Sequence, residues 1–334
     1  MLRILTLDRQ KIISILLGIS VFLLVGNIII SKISPAKAST GGNVSVKTLN
    51  DEFEKTLLEF DLKPEWFKRI PVKKSQDSIS YKYRIRVPKD LPVPVILNEL
   101  NSKLLNQPLR FSSREMKAHK ESSIRIFFEN AVLLESDFIM DTSISRNKPV
   151  YGFMINDIEN MSDNELTELL SYPEKFALLL TPSQRSESLK KQIVESGREF
   201  AIVLHDDIPE VKYRLDENYS KGRLNGSVGN IIKSFSEAKL FLLDEFSNKE
   251  LAIQVENMFI RRKIKYVPLS RYSQISEKDY ISLPDDLHSH IKRSQGSDIF
   301  LITSKDFMQL YGEFKNLRKR GYKFIIPSAI NYCI

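Results

Sequence analysis

The C-terminal half of this 334-residue chain predicts an α/β fold, an irregular seven-stranded β/α barrel. Three observations carry that expectation. Short apolar runs recur from residue 150 onward. Most are followed by a helical pattern. The runs are continuous rather than alternating, as in strands buried on both faces. They fall at residues 150–155, 176–180, 200–204, 240–243, 266–269, 299–302 and 324–326. The intervening helices fall at 163–170, 187–196, 249–262, 285–295 and 306–320, with Ser162-Asp163 opening the first and Gly197 and Gly321 closing two others. Seven runs in about 185 residues are few for a full eight-unit barrel. A flat doubly wound sheet is the alternative, but no Gly-x-Gly-x-x-Gly follows the first strand.

Ahead of the barrel, residues 41–145 predict a small α+β domain. Residues 50–62 have helical apolar spacing, and Asn50 is a fitting cap. Residues 80–87 alternate like a half-buried strand. Residues 95–105 return to a helical pattern. Residues 124–128 and 132–139 read as two strands paired around Glu129-Asn130. Trp66 and Phe67 are expected in the core, with glycan stacking as the alternative for these rings. The lysines and arginines of 81–86 belong on a solvated strand face. No reactive constellation occurs here, so binding, spacing or docking is the default role.

Residues 12–30 carry no charge, and as a helix they would span roughly 28 Å at 1.5 Å per residue. Arg3, Arg9 and Lys11 precede them, which favours a cytoplasmic N-terminus and places the rest outside the cytoplasm. Residues 1–40 are thus expected to be a signal anchor with its linker. Ala36-Lys37-Ala38 has the small-x-small pattern of a cleaved signal, which is the alternative.

The net charge of +8 is uneven. Residues 1–40 and 41–149 each contribute four positive charges in excess, and 150–334 are balanced. A nucleic-acid binder concentrates positive charge on its working domain, so that class is excluded here. The basic N-terminal half can face a membrane or an acidic polymer. Cys333 is the single cysteine, which excludes intrachain disulfides and thiol metal clusters.

In parallel α/β folds the working face lies beyond the C-terminal ends of the strands. Those ends carry Asn156-Asp157, Thr181, His205-Asp206-Asp207, Asp244 and, past the fifth run, Arg271. Asp157, His205 and Asp244 would converge on one mouth. Carboxylate plus imidazole suits zinc or a similar divalent ion. The same groups could form an acid/base pair, or a hydrogen-bonded histidine that merely orders the mouth. His119 lies in a charged run. His288 and His290 are two apart and point to different faces of a helix, a poor chelate.

With these residues in place, the C-terminal domain resembles the divergent branch of the polysaccharide deacetylase family. YGFMINDI stands where that branch has a strand ending in paired aspartates. KFALLLTPSQRSESLKKQIVESGREF is similar to its next unit, including Gly197 and Glu199. FAIVLHDD matches a strand ending in histidine, RLNGSVGN occupies an Asn/Gly-rich segment with a second histidine, and LFLLDEFS matches a strand ending in aspartate. The resemblance implies zinc-assisted removal of N-acetyl groups from glycans, with one aspartate as base and the other as ligand. It places Asn225, Ser227 and Arg271 at the substrate side, with Asp157, His205 and Asp244 as ligand candidates. Two positions depart from the pattern. Asn156 stands where the base should be, and an amide accepts no proton. Ser227 stands where the second histidine should be, and a hydroxyl is a poor zinc ligand. His205 also lies two residues farther from Gly197 than the family spacing. Asp206 or Asp207 would have to replace the base. A tight catalytic zinc site is therefore not expected. Three functions follow: a weakly active envelope deacetylase, a relative that only binds glycan or a protein partner, or a membrane-tethered scaffold working through residues 41–145.

Overall fold

The computed structural model describes residues 45–72, 79, 81–117, 120–278 and 281–330. The apolar segment at 12–30, His119 and Cys333 lie outside the described residues. Among the described residues no helix is long and apolar enough to cross a membrane.

The first sheet has five strands: β1 (Phe67–Pro71), β2 (Tyr81–Val87), β3 (Leu109–Lys117), β4 (Glu121–Phe128) and β5 (Ala131–Met140). Their order is β1-β2-β5-β4-β3, with β2 and β5 parallel and the other pairs antiparallel. Two helices, α1 (Val46–Glu59) and α2 (Val93–Lys103), complete this layer. Phe53 of α1 is fully buried, with its ring 5.0 Å from Tyr83 and 6.3 Å from Phe138. The expected β4–β5 hairpin is present, turning at Glu129 with φ 51°. Asn50 is not a cap: α1 begins four residues earlier and buries it. Trp66 is buried and Phe67 half-buried; Lys63 lies 5.5 Å from the Trp66 ring, so the Trp66 side chain serves packing rather than a stacking surface.

The second sheet is parallel throughout. It contains β6 (Val150–Asn156), β7 (Ala177–Leu180), β8 (Glu199–Leu204), β9 (Leu240–Leu243), β10 (Tyr266–Pro268), β11 (Ser273–Ile275), β12 (Asp298–Thr303) and β13 (Lys323–Phe324). Seven strands follow one hydrogen-bonded path, β10-β9-β8-β7-β6-β12-β11. The two ends of that path, β10 and β11, are joined by only Leu269–Tyr272. Five residue steps reach at most about 17 Å. A flat sheet of seven strands would separate its edges by nearly 29 Å. The sheet must therefore curl, and the flat doubly wound alternative is excluded.

The strand count matches the expectation, but the seventh member differs. β11 has only three residues and no apolar run to announce it. The expected stave near 324–326 is instead β13, which pairs only with Val150 and Tyr151 at the base of β6. The upper part of the same β6 edge pairs with β7, through Met154 and Ile155. Pro327 then turns the chain beneath the barrel.

Helices α3 (Asp163–Ser171), α4 (Gln184–Glu195), α5 (Lys221–Ser234), α6 (Lys249–Arg261), α7 (Leu283–Arg293), α8 (Ser304–Gln309) and α9 (Tyr311–Lys319) cover the outside. Side-chain oxygens cap most of them: Ser162, Ser183, Ser220, Asn248, Ser282 and Thr303 each accept a backbone N–H of the first turn. Ser162 and Glu165 form a full capping box. Alternation then sorts the side chains. Tyr151, Phe153, Ile155, Phe200, Ile202 and Leu204 face the helices, while Met154, Ala177, Leu179, Ala201, Leu242 and Leu301 fill the barrel.

The N-terminal end of the barrel is covered in part by the returning chain, which leaves a cavity of about 200 Å³ lined by Met154, Glu199, Val267, Ile299, Pro327 and Ile330. A Cβ on Gly152 would lie 3.1–3.3 Å from Ile330 Cδ1 and Pro327, so any side chain there would push against this segment. Ser328 N and Oγ donate to the Glu199 carboxylate at 3.0 and 2.6 Å. Between the two sheets, Arg146 is buried and donates to Asp90 Oδ2 at 2.9 and 2.6 Å, to Phe60 O at 3.2 Å and to Lys319 O at 2.6 Å. One guanidinium thus ties the first layer to the last helix of the barrel.

Candidate functional site

The C-terminal end of the barrel is open. A cavity of about 360 Å³ lies there, with a floor of Leu179, Val203, Leu269 and Leu301. Its rim is Asn156, Asp157, Glu159, Thr181, His205, Asp244 and Gln274. The alternation that points Met154, Leu179, Val203 and Leu242 inward places the next inward residue of each strand, Asn156, Thr181, His205 and Asp244, at the rim.

Asp157 adopts the left-handed conformation, φ 59°, ψ 19°. Aspartate is one of the few residues that tolerates it. Its side chain caps nothing and is exposed at the mouth. The reversal at Asp157 starts a 3₁₀ turn, Ile158–Asn160, that drives Ile158 into the core and swings Glu159 back over the cavity. Glu159 Oε1 accepts from Thr181 N at 2.7 Å and Ser186 Oγ at 3.4 Å. Burial raises its pKa, hydrogen bonds only partly oppose that, and Asp157 adds to the rise. Arg185 donates to the Glu159 and Met161 carbonyls, both at 2.7 Å, and locks the loop to α4.

His205 is half-buried. Burial lowers its pKa, and the charges of Asp244 and Asp206 only partly oppose this, so the ring is neutral at neutral pH. Its Nδ1 is sealed from solvent against the Asp207 carboxylate, without the alignment of a hydrogen bond. Asn156 Oδ1 is likewise buried with no partner. Asp244 Oδ1 accepts from Glu245 N at 2.9 Å.

Other predicted residues lie elsewhere. Asp206 Oδ2 accepts from Ser247 N at 2.7 Å. Burial raises its pKa, but the bonds from Ser247 outweigh that and hold it below the usual range. Asp206 and Asp207 line a separate depression with Asp216, Glu217 and Asn248, outside the mouth cavity. The Asn/Gly-rich segment is not a loop at the mouth. It lies inside α5, where Leu224, Val228 and Ile231 bury enough apolar surface to hold a helix through three glycines. Ser227 is buried in that helix, and Asn225 Oδ1 accepts from Arg262 Nη2 at 2.6 Å. Arg271 sits exposed in the turn between β10 and β11. None of these three lines the cavity. His288 meets Glu313 at 2.7 Å and His290 meets Asp286 at 3.6 Å, both remote from the mouth lining.

Zinc is the ion the expected chemistry needs, with at least three protein ligands. Asp157, His205 and Asp244 share the rim. Yet among the described residues no three His, Cys, Asp or Glu side chains are placed to hold a metal ion. The donor set does not fit zinc. Glu159 is the rim carboxylate that the sequence pattern did not mark. Its only signal was an acid three residues past a strand end, and the left-handed turn that makes it face the cavity leaves no trace in spacing.

No family model matches the chain, and no curated protein does. The chain is similar to solved structures of family 4 carbohydrate esterases, pseudoenzymes among them. A pseudoenzyme of this family from Bacillus anthracis is 14% identical, over 70% of this chain and 93% of that one, with a TM-score of 0.35. A family 4 carbohydrate esterase from Streptomyces lividans, in complex with acetate, is 10% identical over 53% and 90%, with a TM-score of 0.36. A peptidoglycan deacetylase from Bdellovibrio bacteriovorus is 14% identical over 56% and 54%, with a TM-score of 0.36. At such scores, what the mouth can do has to come from its own residues.

Proposed function

We propose that this is a divergent polysaccharide deacetylase-like protein whose barrel mouth binds glycan without hydrolysing it. One observation carries the proposal: the mouth keeps a concave, polar-rimmed cavity but lacks the parts of a hydrolase. Asn156 occupies the position of the base and accepts no proton. Ser227 is held inside α5, so no third ligand reaches Asp157 and His205 from that element. Metal-assisted hydrolysis needs a metal to polarise the carbonyl and activate water. The apolar floor suits the C–H face of a sugar ring, and Asn156, Thr181 and Gln274 supply neutral hydrogen-bonding partners for hydroxyls.

The site of action in this proposal is the cell envelope. Support comes from the uncharged segment at 12–30, preceded by three basic residues, which suits a membrane anchor with the barrel outside the cytoplasm. The partner is an envelope glycan, and the basic excess of residues 41–149 favours an acidic polymer beside it.

The test pairs metal content with acetate release. Purified protein is dialysed, assayed for zinc, and incubated with N-acetylated amino-sugar oligomers with and without added zinc. The expected result is substoichiometric zinc, no acetate above background, and oligosaccharide binding by calorimetry. Stoichiometric zinc with acetate release overturns the proposal.

A further inference from the structure

The mouth is lined by acids without a cation, as is the neighbouring depression at Asp206, Asp207, Asp216 and Glu217, but only the mouth has an apolar floor of four side chains. Three carboxylates line it, Asp157, Glu159 and Asp244, and no lysine or arginine does. Several acids elsewhere are matched by cations, although Glu165, Glu199 and Asp206 take neutral donors. Glu54 holds Arg69 at 2.6 Å, Glu59 holds Lys103 at 2.6 Å, Asp137 holds Lys82 at 2.7 Å, and Asp286 holds Lys278 at 2.9 Å. At the mouth the carboxylates take only neutral donors: Thr181 N and Ser186 Oγ for Glu159, and Glu245 N for Asp244. A concave site with an apolar floor and an uncompensated negative rim attracts a cation that also has an apolar face.

We propose that the mouth selects amino sugars carrying a free, protonated amine over their N-acetylated counterparts. An ammonium offers three N–H donors and a full charge to carboxylates that accept without any counter-charge of their own. An acetamido group offers one N–H, no charge, and a carbonyl oxygen that the carboxylates repel. The C–H face of the same sugar rests on Leu179, Val203, Leu269 and Leu301. The chemistry selected is thus that of a deacetylated glycan, and a reaction that removes N-acetyl groups must run elsewhere to supply it.

Because this ligand class presupposes a glycan-binding mouth, the test separates the two ideas. Calorimetry compares the glucosamine tetramer, the N-acetylglucosamine tetramer and the glucose tetramer, at a pH where the amine is protonated. The free-amine tetramer is expected to bind roughly tenfold tighter than either neutral one, an advantage that shrinks several-fold between about 50 mM and about 500 mM salt. Asp157→Asn preserves the left-handed turn, since asparagine tolerates it equally. It and Asp244→Asn are each expected to erase most of that preference while circular dichroism stays unchanged. If a neutral tetramer binds as tightly as the free amine, the amine preference is wrong and glycan binding stands. If no tetramer binds, the glycan-binding proposal falls and the amine preference falls with it. If the preference survives both variants, the carboxylates are not its source and the inference fails.

Discussion

The two ends of the barrel are built from the same seven strands and the same alternation, and they came out different. At the N-terminal end the inward positions are Gly152, Ala177, Glu199 and Ala201, and the chain returns across them with Pro327 and Ile330, which narrows the space to a cavity of about 200 Å³. The one acid there, Glu199, has two donors from Ser328. At the C-terminal end no described segment returns. The inward positions are polar, two of their buried atoms lack a hydrogen bond, and the cavity stays open. Groups left unsatisfied where a stability-optimised fold would have matched them are a mark of a site kept for a ligand. The covered end shows that this chain is able to satisfy an acid when nothing else needs it.

The largest effect should come from crowding the covered end. Gly152→Leu adds a side chain where a Cβ alone meets Ile330 and Pro327 at 3.1–3.3 Å, most of it backbone or ring atoms. The expected loss is about 2–3 kcal/mol of unfolding free energy, in the range of overpacked cores. Gln274→Trp at the open rim, also a large addition of volume, should stay within about 0.5 kcal/mol. Urea denaturation of both variants decides it, and equal losses would erase the distinction between the ends.

The next effect tests the buried amide at the open end. Asn156→Asp places a carboxylate where the amide oxygen is already buried without a partner, beside Asp157. Burial and the neighbouring charge both raise the pKa of the new acid when folded. A raised acid binds more protons folded than unfolded, so stability falls as pH rises through its range. The expected cost near neutral pH is about 1–2 kcal/mol, the penalty for an unmatched buried group, and it should largely vanish in acid. Thermal melts across pH measure it. A variant as stable as the parent at neutral pH would mean that Asn156 has solvent or a donor within reach.

A smaller effect has the opposite sign. Burial holds the His205 pKa below the ordinary histidine value. The unfolded chain therefore takes up a proton at a pH where the folded one refuses it. The resulting stability is complete above the ordinary value and is lost as pH falls through it toward the folded pKa. His205→Asn should lose less of its melting temperature than the parent on acidification from neutral pH. Parallel curves would show that the imidazole is not held neutral.

The sequence made the barrel legible because its strands are buried on both faces. Continuous runs such as residues 150–155 and 299–302 cannot be mistaken for half-exposed strands, and the serines and glycines at the helix ends supply the boundaries. What it hid was short or conformational. β11 has three residues and too little apolar surface to stand out. α5 carries three glycines, which mask the helical spacing of its buried Leu224, Val228 and Ile231, and no helix is expected there. The rim was half visible. Period-2 alternation leads to Asn156, His205 and Asp244, but Glu159 enters the mouth only because Asp157 takes a positive φ. Asp206 and Asp207 lie next to His205 in sequence yet line a second depression, with the Asp207 carboxylate still against the His205 ring, since residues beyond a strand end no longer obey its alternation.

The smallest effect on stability should accompany a large one on binding. Asp244 is exposed, and the only described hydrogen bond to its side chain is from the backbone N–H of Glu245. Asparagine can accept that bond as well, so Asp244→Asn should change the unfolding free energy by no more than about 0.5 kcal/mol. Removing one of three like charges from an uncompensated rim even relieves some repulsion, so a slight gain is the expected sign. At the covered end the same exchange, Glu199→Gln, removes a charge that two Ser328 donors stabilise, and a loss of about 1 kcal/mol is expected instead. Chemical denaturation of the two variants side by side compares an acid kept for folding with an acid kept for something else. If Asp244→Asn cost as much as Glu199→Gln, the rim carboxylate would be part of the scaffold, and the open end would have no better claim to a ligand than the partly covered one.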